Sequence, residues 1–176
     1  MSEKLPSREQ AIEFLAKNKC SPRVIRHCEA VADLAVHMAE NCKKKGLKVD
    51  IRLIEIGALL HDVGRSQTQT VNHAIVGANI AESAGFPSPL VSIIKTHVGA
   101  GITPKEAQSL GWPNDTYMPL TLEQKIVCYA DKLIEGSRRM SIQLAIDKLC
   151  WEKRTDAAER VKKLHEEMTQ LIGDYP

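Results

Sequence analysis

Helix start and stop signals recur along this 176-residue chain at intervals of about one helix length, and that punctuation restricts it to an all-α fold. Ser7 with Gln10 reads as a capping box, and so does Thr121 with Gln124. Ser21-Pro22, Ser88-Pro89 and Thr103-Pro104 each place a capping hydroxyl before a proline suited to the first helical turn. Asp50 and Asn72 are further N-cap candidates. Gly46, Gly64, Gly85, Gly99 and Gly111 then stand where the helices so opened should stop. Within the second segment Val24, Ile25, Cys28, Val31, Ala32, Leu34, Ala35 and Met38 form a stripe at helical spacing. Gly57 interrupts the third segment and predicts the close approach of another backbone. Residues 112–120, with two prolines and an Asn-Asp pair, read as a loop, and two more helices are expected near 142–150 and 156–172. No alternating strand pattern and no internal repeat interrupts this reading, so residues 1–176 are expected to form a single domain, a helical bundle.

Composition narrows the function classes. A hydrophobic fraction of 43% suits a packed core, and 4% aromatics leaves Leu, Ile, Val and Ala to fill it. A net charge of +2 gives no strong nucleic-acid signal and none for a membrane surface. The basic run Lys43-Lys44-Lys45 is expected at a helix C-terminus, where cations oppose the dipole. The five cysteines are scattered, without a Cys-x-x-Cys pair, so neither a disulfide framework nor a cysteine zinc site is expected. The polar N-terminus lacks a signal-peptide core, and no apolar run approaches the roughly 20 residues of a membrane span. The expectation is a soluble, cytoplasmic protein.

Six histidines are present, and their setting matters more than their number. His61 and Asp62 are adjacent at the end of an apolar helix, where two side chains about 100° apart can still converge on one ion. Imidazole and carboxylate are both ligands of first-row divalent metals. His27 lies among Val24, Ile25, Cys28 and Val31, and a buried histidine needs a partner. Asp131 follows the apolar run Ile126–Ala130, where a carboxylate must be paired or bind metal. His73 is followed four residues later by Gly77, and His97 precedes the glycine-rich Gly99-Ala100-Gly101. His37, ten residues after His27, is rotated off its face, and His165 sits beside Glu166 and Glu167; both are expected at the surface.

The order His27, His61-Asp62, His73, His97, Asp131 resembles the HD-domain metal-dependent phosphohydrolase superfamily. His61-Asp62-Val63-Gly64-Arg65 is similar to its H-D-I-G-K variant, and His73 with Gly77 to the H-x-x-x-G element that follows. The resemblance spans residues 21–138 and implies an HD-type helical bundle, with the helices of 141–173 packed on that core. It implies a first metal held by His27, His61, Asp62 and Asp131, and a second held by His73 and His97 with Asp62 bridging. The cofactors would be one or two divalent ions per chain, from among Mn, Fe, Co, Ni, Mg and Zn. Two departures count. Arg65 replaces the motif's lysine, and the H-H-E and G-Y-P elements of the cyclic-dinucleotide branch are absent, so that branch's substrate does not carry over.

The chemistry that follows is hydrolysis of a phosphate ester, with a small nucleotide as the expected substrate. Paired divalent ions neutralise phosphate charge and lower the pKa of a bound water. Arg65 is expected to be catalytic with Asp62 and to hold phosphate oxygens in a fork. Arg138, seven residues or two helical turns after Asp131 and nearly on the same face, is a second phosphate-binding candidate. Lys95 points away from His97 and is a weaker one. Two other classes compete: a metal-binding module that senses a nucleotide without turnover, and a di-iron oxygenase on the same scaffold.

Overall fold

The structure is a computed structural model that describes residues 4–174; the first residues of the N-terminal reading lie outside them. It is all-α, as expected. In chain order the helices are α1 (Arg8–Lys17), α2 (Pro22–Lys44), α3 (Ile51–Leu60), α4 (His73–Ser83), α5 (Ser88–Thr96), α6 (Pro104–Ser109), α7 (Leu122–Lys132), α8 (Ile142–Trp151) and α9 (Thr155–Ile172). A short antiparallel pair, β1 (Ile134–Glu135) and β2 (Arg138–Arg139), turns at Gly136 and Ser137. Two residues per strand are too few to leave an alternating pattern, which is why the sequence did not disclose it.

The caps behave as their chemistry dictates, with two exceptions. Ser7, Ser21, Asp50, Thr103, Thr121 and Ser141 each accept the backbone N–H three residues on. Asn72 does not: its backbone is already helical, and its Oδ1 accepts from Trp112 Nε1 at 2.8 Å. Ser88 is the first helical residue of α5 rather than its cap, Pro87 taking that place. The same helix stops at Thr96, short of Gly99, and a 3-10 turn at 98–100 follows.

α2 and α7 form the centre. α2 buries Cys28, Val31, Ala32, Ala35, Met38, Ala39 and Cys42, a stripe at the spacing one helix face presents. α7 buries five consecutive residues, Ile126–Ala130, because α2, α3, α5 and α9 surround it. One buried cluster runs from Ala11 to Ile172 and includes Val161, Leu164 and Met168 of α9, so the last helix shares that core. His165 is correspondingly not a surface group: it is half-buried, and its Nδ1 lies 2.8 Å from the buried Tyr129 hydroxyl. His37 is exposed, as expected.

Gly57 accommodates the Ile93 side chain rather than a backbone, since a Cβ there would lie 2.7 Å from Ile93 Cδ1. The backbone approach falls at Gly64 and Gly77 instead. A Cβ on Gly64 would lie 2.0 Å from His73 O and 2.6 Å from Gly77 N. The turn after Asp62 is thereby pressed against the start of α4, and this contact positions the two halves of the site described next.

Candidate metal centre

Five of the six expected ligands sit at or near helix ends. His61 is the C-cap of α3 with Asp62 just beyond it, His97 is the C-cap of α5, His73 opens α4, and Asp131 is in the last turn of α7. His27 stands away from a helix end, in the second turn of α2. Helix C-termini leave carbonyls without partners, and the histidines use them. His61 Nδ1 donates to Ala58 O at 2.6 Å, and His97 Nδ1 to Ile94 O at 2.7 Å. His73 Nδ1 donates to Thr70 O at 2.7 Å, and His27 Nδ1 reaches across to Gly136 O, 2.8 Å away in the β1–β2 turn. A carbonyl can only accept, so all four rings carry a proton on Nδ1 and, when neutral, present a lone pair at Nε2. This is the arrangement in which histidines ligate metal.

The Nε2 atoms form two groups around one carboxylate. On one side His27 Nε2 lies 3.0 Å and His61 Nε2 3.4 Å from Asp131 Oδ1, with Asp62 Oδ2 at 3.9 and 3.8 Å from them. On the other, Asp62 Oδ1 lies 3.1 Å from His73 Nε2 and 3.5 Å from His97 Nε2. The six ligands named from the sequence are thus brought together, with Asp62 between a His27–His61–Asp131 group and a His73–His97 group.

The donor set fits divalent cations. His73 Nε2 and His97 Nε2 are 3.0 Å apart, and with both rings neutral their lone pairs would face each other, an arrangement that a cation between them would reconcile. His61 Nε2 and Asp62 Oδ1 are buried without a hydrogen-bond partner of acceptable geometry, as ligand atoms are before a metal is added. Burial pushes the His97 pKa down to about 4, so its ring is neutral and free to ligate. Burial also works against charge on His61 and Asp62, yet their mutual attraction prevails: His61 is held well above its ordinary pKa and Asp62 well below.

The centre faces a cavity of about 390 Å³. Val71, Val98, Met140 and Leu149 give it an apolar wall, and Arg65 and Lys132 bring cations to the side of the His/Asp cluster. Arg65 Nε donates to Asp62 Oδ2 at 2.7 Å, so the arginine lies against a candidate ligand carboxylate and not free in the opening. Arg138 does not line the cavity. The spacing that nominated it assumed an unbroken helix, but α7 stops at Lys132 and Arg138 is an exposed residue of β2. Lys95 is paired with Asp115, away from the centre. Lys132, which ion-pairs with Asp131 on the cavity side, was not anticipated. The available signal was its position directly after the ligand carboxylate, at the end of a buried apolar run.

The HD domain family matches residues 24–136, and the chain belongs to that family. An uncharacterised protein of Methanocaldococcus jannaschii is 44% identical over 93% of this chain and 98% of its own length. A tRNA (cytidine(56)-2'-O)-methyltransferase of Thermoplasma volcanium is 41% identical over 96% of this chain but only 48% of its own length, so the chain spans about half of that relative. A ribonuclease Y of Acidothermus cellulolyticus is 29% identical over 80% of this chain and 26% of the enzyme. Among solved structures, the HD domain of the Listeria monocytogenes phosphodiesterase PgpH superposes with a TM-score of 0.56 at 18% identity, covering 92% of this chain and 95% of that domain, which is a likeness of fold. No helix among the described residues is long and apolar enough to cross a membrane.

Proposed function

We propose that the protein is a metal-dependent phosphoesterase that hydrolyses a nucleotide phosphate ester. The observation that carries this reading is Asp62, whose two oxygens face separate ligand groups, His27–His61–Asp131 and His73–His97, at the edge of a cavity bearing cations. His27, His61, Asp62 and Asp131 would hold one ion, and Asp62, His73 and His97 a second. Such ions supply charge neutralisation at phosphate and a water acidified enough to attack it. The chain's own residues do the rest. The backbone carbonyls fix each ring, Arg65 and Lys132 offset the carboxylates, and the apolar wall shields the non-phosphate part of the ester.

A second opening, lined by Ser21, Arg23 and Val24, adjoins this cavity and shares His27, Asp62, Arg65, Gln69 and Gly136 with it. The added room beside His27 and Asp62 suits a phosphorus carrying two ester groups, and diesters are therefore the favoured substrates. The tRNA and ribonuclease names of relatives put RNA within the class to be tried.

The test is turnover by protein loaded with Mn²⁺, Fe²⁺, Co²⁺, Ni²⁺ or Mg²⁺, against chromogenic mono- and diesters, nucleotides, cyclic nucleotides and short RNA. Hydrolysis of at least one diester is expected. Tight nucleotide binding with no turnover under any metal would replace this reading with a sensor, and oxygen uptake by the Fe²⁺ form with an oxygenase.

Arg65 gives a finer check on the same assay. Arg65 lines the cavity with Nε on Asp62 and Nη1 on Gln69 O, which leaves Nη2 to meet a phosphate while Asp62 is held. Arg65→Ala should retain metal and lose about tenfold in kcat/KM, roughly 1.4 kcal/mol. A loss below about threefold, roughly 0.7 kcal/mol, would remove phosphate binding from its role.

A further inference from the structure

Lys132 combines three features that a helix-end lysine does not ordinarily have together. It closes α7, where the dipole alone would favour a cation in solvent, yet its side chain is only 20% exposed. Its ammonium group is hydrogen-bonded to Asp131 Oδ2, while the other oxygen of that carboxylate faces His27 Nε2 at 3.0 Å and His61 Nε2 at 3.4 Å. It also lines the cavity beside the centre. The ammonium therefore sits one carboxylate width from the ligand nitrogens.

A lysine has three N–H donors, and Asp131 is the one hydrogen-bond partner of Lys132 among the described residues. Two donors remain on a cation that has been largely withdrawn from water, beside a cavity. The other cavity lysine and the remaining arginine differ: Lys148 and Arg154 are 58% and 43% exposed and are paired with Glu135 and Glu152. Solvated pairs of that kind contribute little. Arg65 approaches Asp62 from one side of the centre as Lys132 approaches Asp131, so each ligand carboxylate carries its own cation.

We infer that Lys132 is a substrate-binding residue that grasps a non-bridging oxygen of the scissile phosphate with the N–H groups Asp131 leaves free. The inference rests on the phosphoesterase reading and adds a second phosphate ligand to it. The alternative is that Lys132 only positions Asp131, and the two differ in what the residue's removal weakens.

The experiment measures binding of inorganic phosphate to Mn²⁺-loaded protein by calorimetry, with metal content determined on the same samples. Lys132→Gln keeps a donor for Asp131 and drops the charge. It should weaken phosphate at least tenfold, about 1.4 kcal/mol, at unchanged metal content, and Lys132→Arg should restore affinity to within about threefold of wild type. Phosphate affinity within twofold of wild type in Lys132→Gln would overturn the inference, and so would loss of metal in parallel with phosphate, the mark of a positioning residue. If wild-type protein binds metal but no phosphate, the phosphoesterase reading itself falls and takes this inference with it. Should Lys132→Gln not fold, acylation of wild-type protein decides. Saturating phosphate should slow modification of Lys132 severalfold and leave Lys125, paired with Glu167, unaffected; equal labelling with and without phosphate overturns the inference.

Discussion

Asp62→Ala is expected to remove metal and activity together. Among the described residues Asp62 approaches all four candidate histidines, 3.1 and 3.5 Å from His73 and His97 through Oδ1, and 3.9 and 3.8 Å from His27 and His61 through Oδ2. Its loss deprives both groups of an anionic oxygen, leaving Asp131 as the remaining carboxylate for two cations. It also leaves Arg65 without its partner, 2.7 Å away, so a positive charge would stand where metal should bind. Metal content should fall below half that of wild type, and turnover by on the order of 10³-fold, about 4 kcal/mol of barrier. Asp62→Asn separates charge from shape: it preserves volume and one carbonyl oxygen and should retain some metal in the His27–His61–Asp131 group while losing it from His73 and His97. Metal analysis of the two proteins after equal reconstitution is the measurement. Wild-type metal content in Asp62→Ala would end the paired-centre reading.

Much of this site was legible before any coordinates, for reasons that can be traced to particular residues. His61-Asp62 is contiguous, and His27 and Asp131 each interrupt an apolar helical run, so their chemistry stood out against burial. The helix framework was equally legible because its caps are local: Ser7, Ser21, Asp50, Thr103 and Thr121 bond only three residues ahead. What failed depended on contacts distant in sequence. Asn72 looked like a cap, but Trp112, forty residues away, takes its oxygen. Arg138 looked like a face-mate of Asp131 because helical spacing was carried past Gly136, whose left-handed backbone instead turns a two-residue strand pair after α7 stops at Lys132. The carbonyls that fix the histidine tautomers were invisible too. Gly136 O reaches His27 across more than a hundred residues, and a backbone atom leaves no mark in a sequence.

Gly64→Ala carries the largest expected effect on stability, and it tests how the two ligand groups are held in register. A methyl group at this position would lie 2.0 Å from His73 O, 2.6 Å from Gly77 N and 2.9 Å from His73 C. Every one of these atoms is backbone, so no rotamer change relieves the clash; α4 or the turn after Asp62 must move. Gly77 mirrors the contact, its own Cβ position lying 3.2 Å from Gly64 N. Overpacking of this kind costs about 3 kcal/mol, and for a chain of this size that lowers Tm by roughly 6–12 °C. Gly57→Ala is the useful contrast. Its new methyl meets the Ile93 side chain, at 2.7 Å from Cδ1 and 2.8 Å from Cγ2, which can shift, and alanine returns about 1 kcal/mol of helix propensity within α3. It should cost less than half as much. The moving element in Gly64→Ala carries His73, which stands 3.1 Å from Asp62 Oδ1, so the folded fraction should bind its second metal more weakly while the group around Asp131 is spared. Calorimetric melting of the metal-free proteins gives the first result, and metal titration below Tm the second. A Tm within about 2 °C of wild type would mean that the turn and α4 are not in the close backbone contact on which this geometry depends.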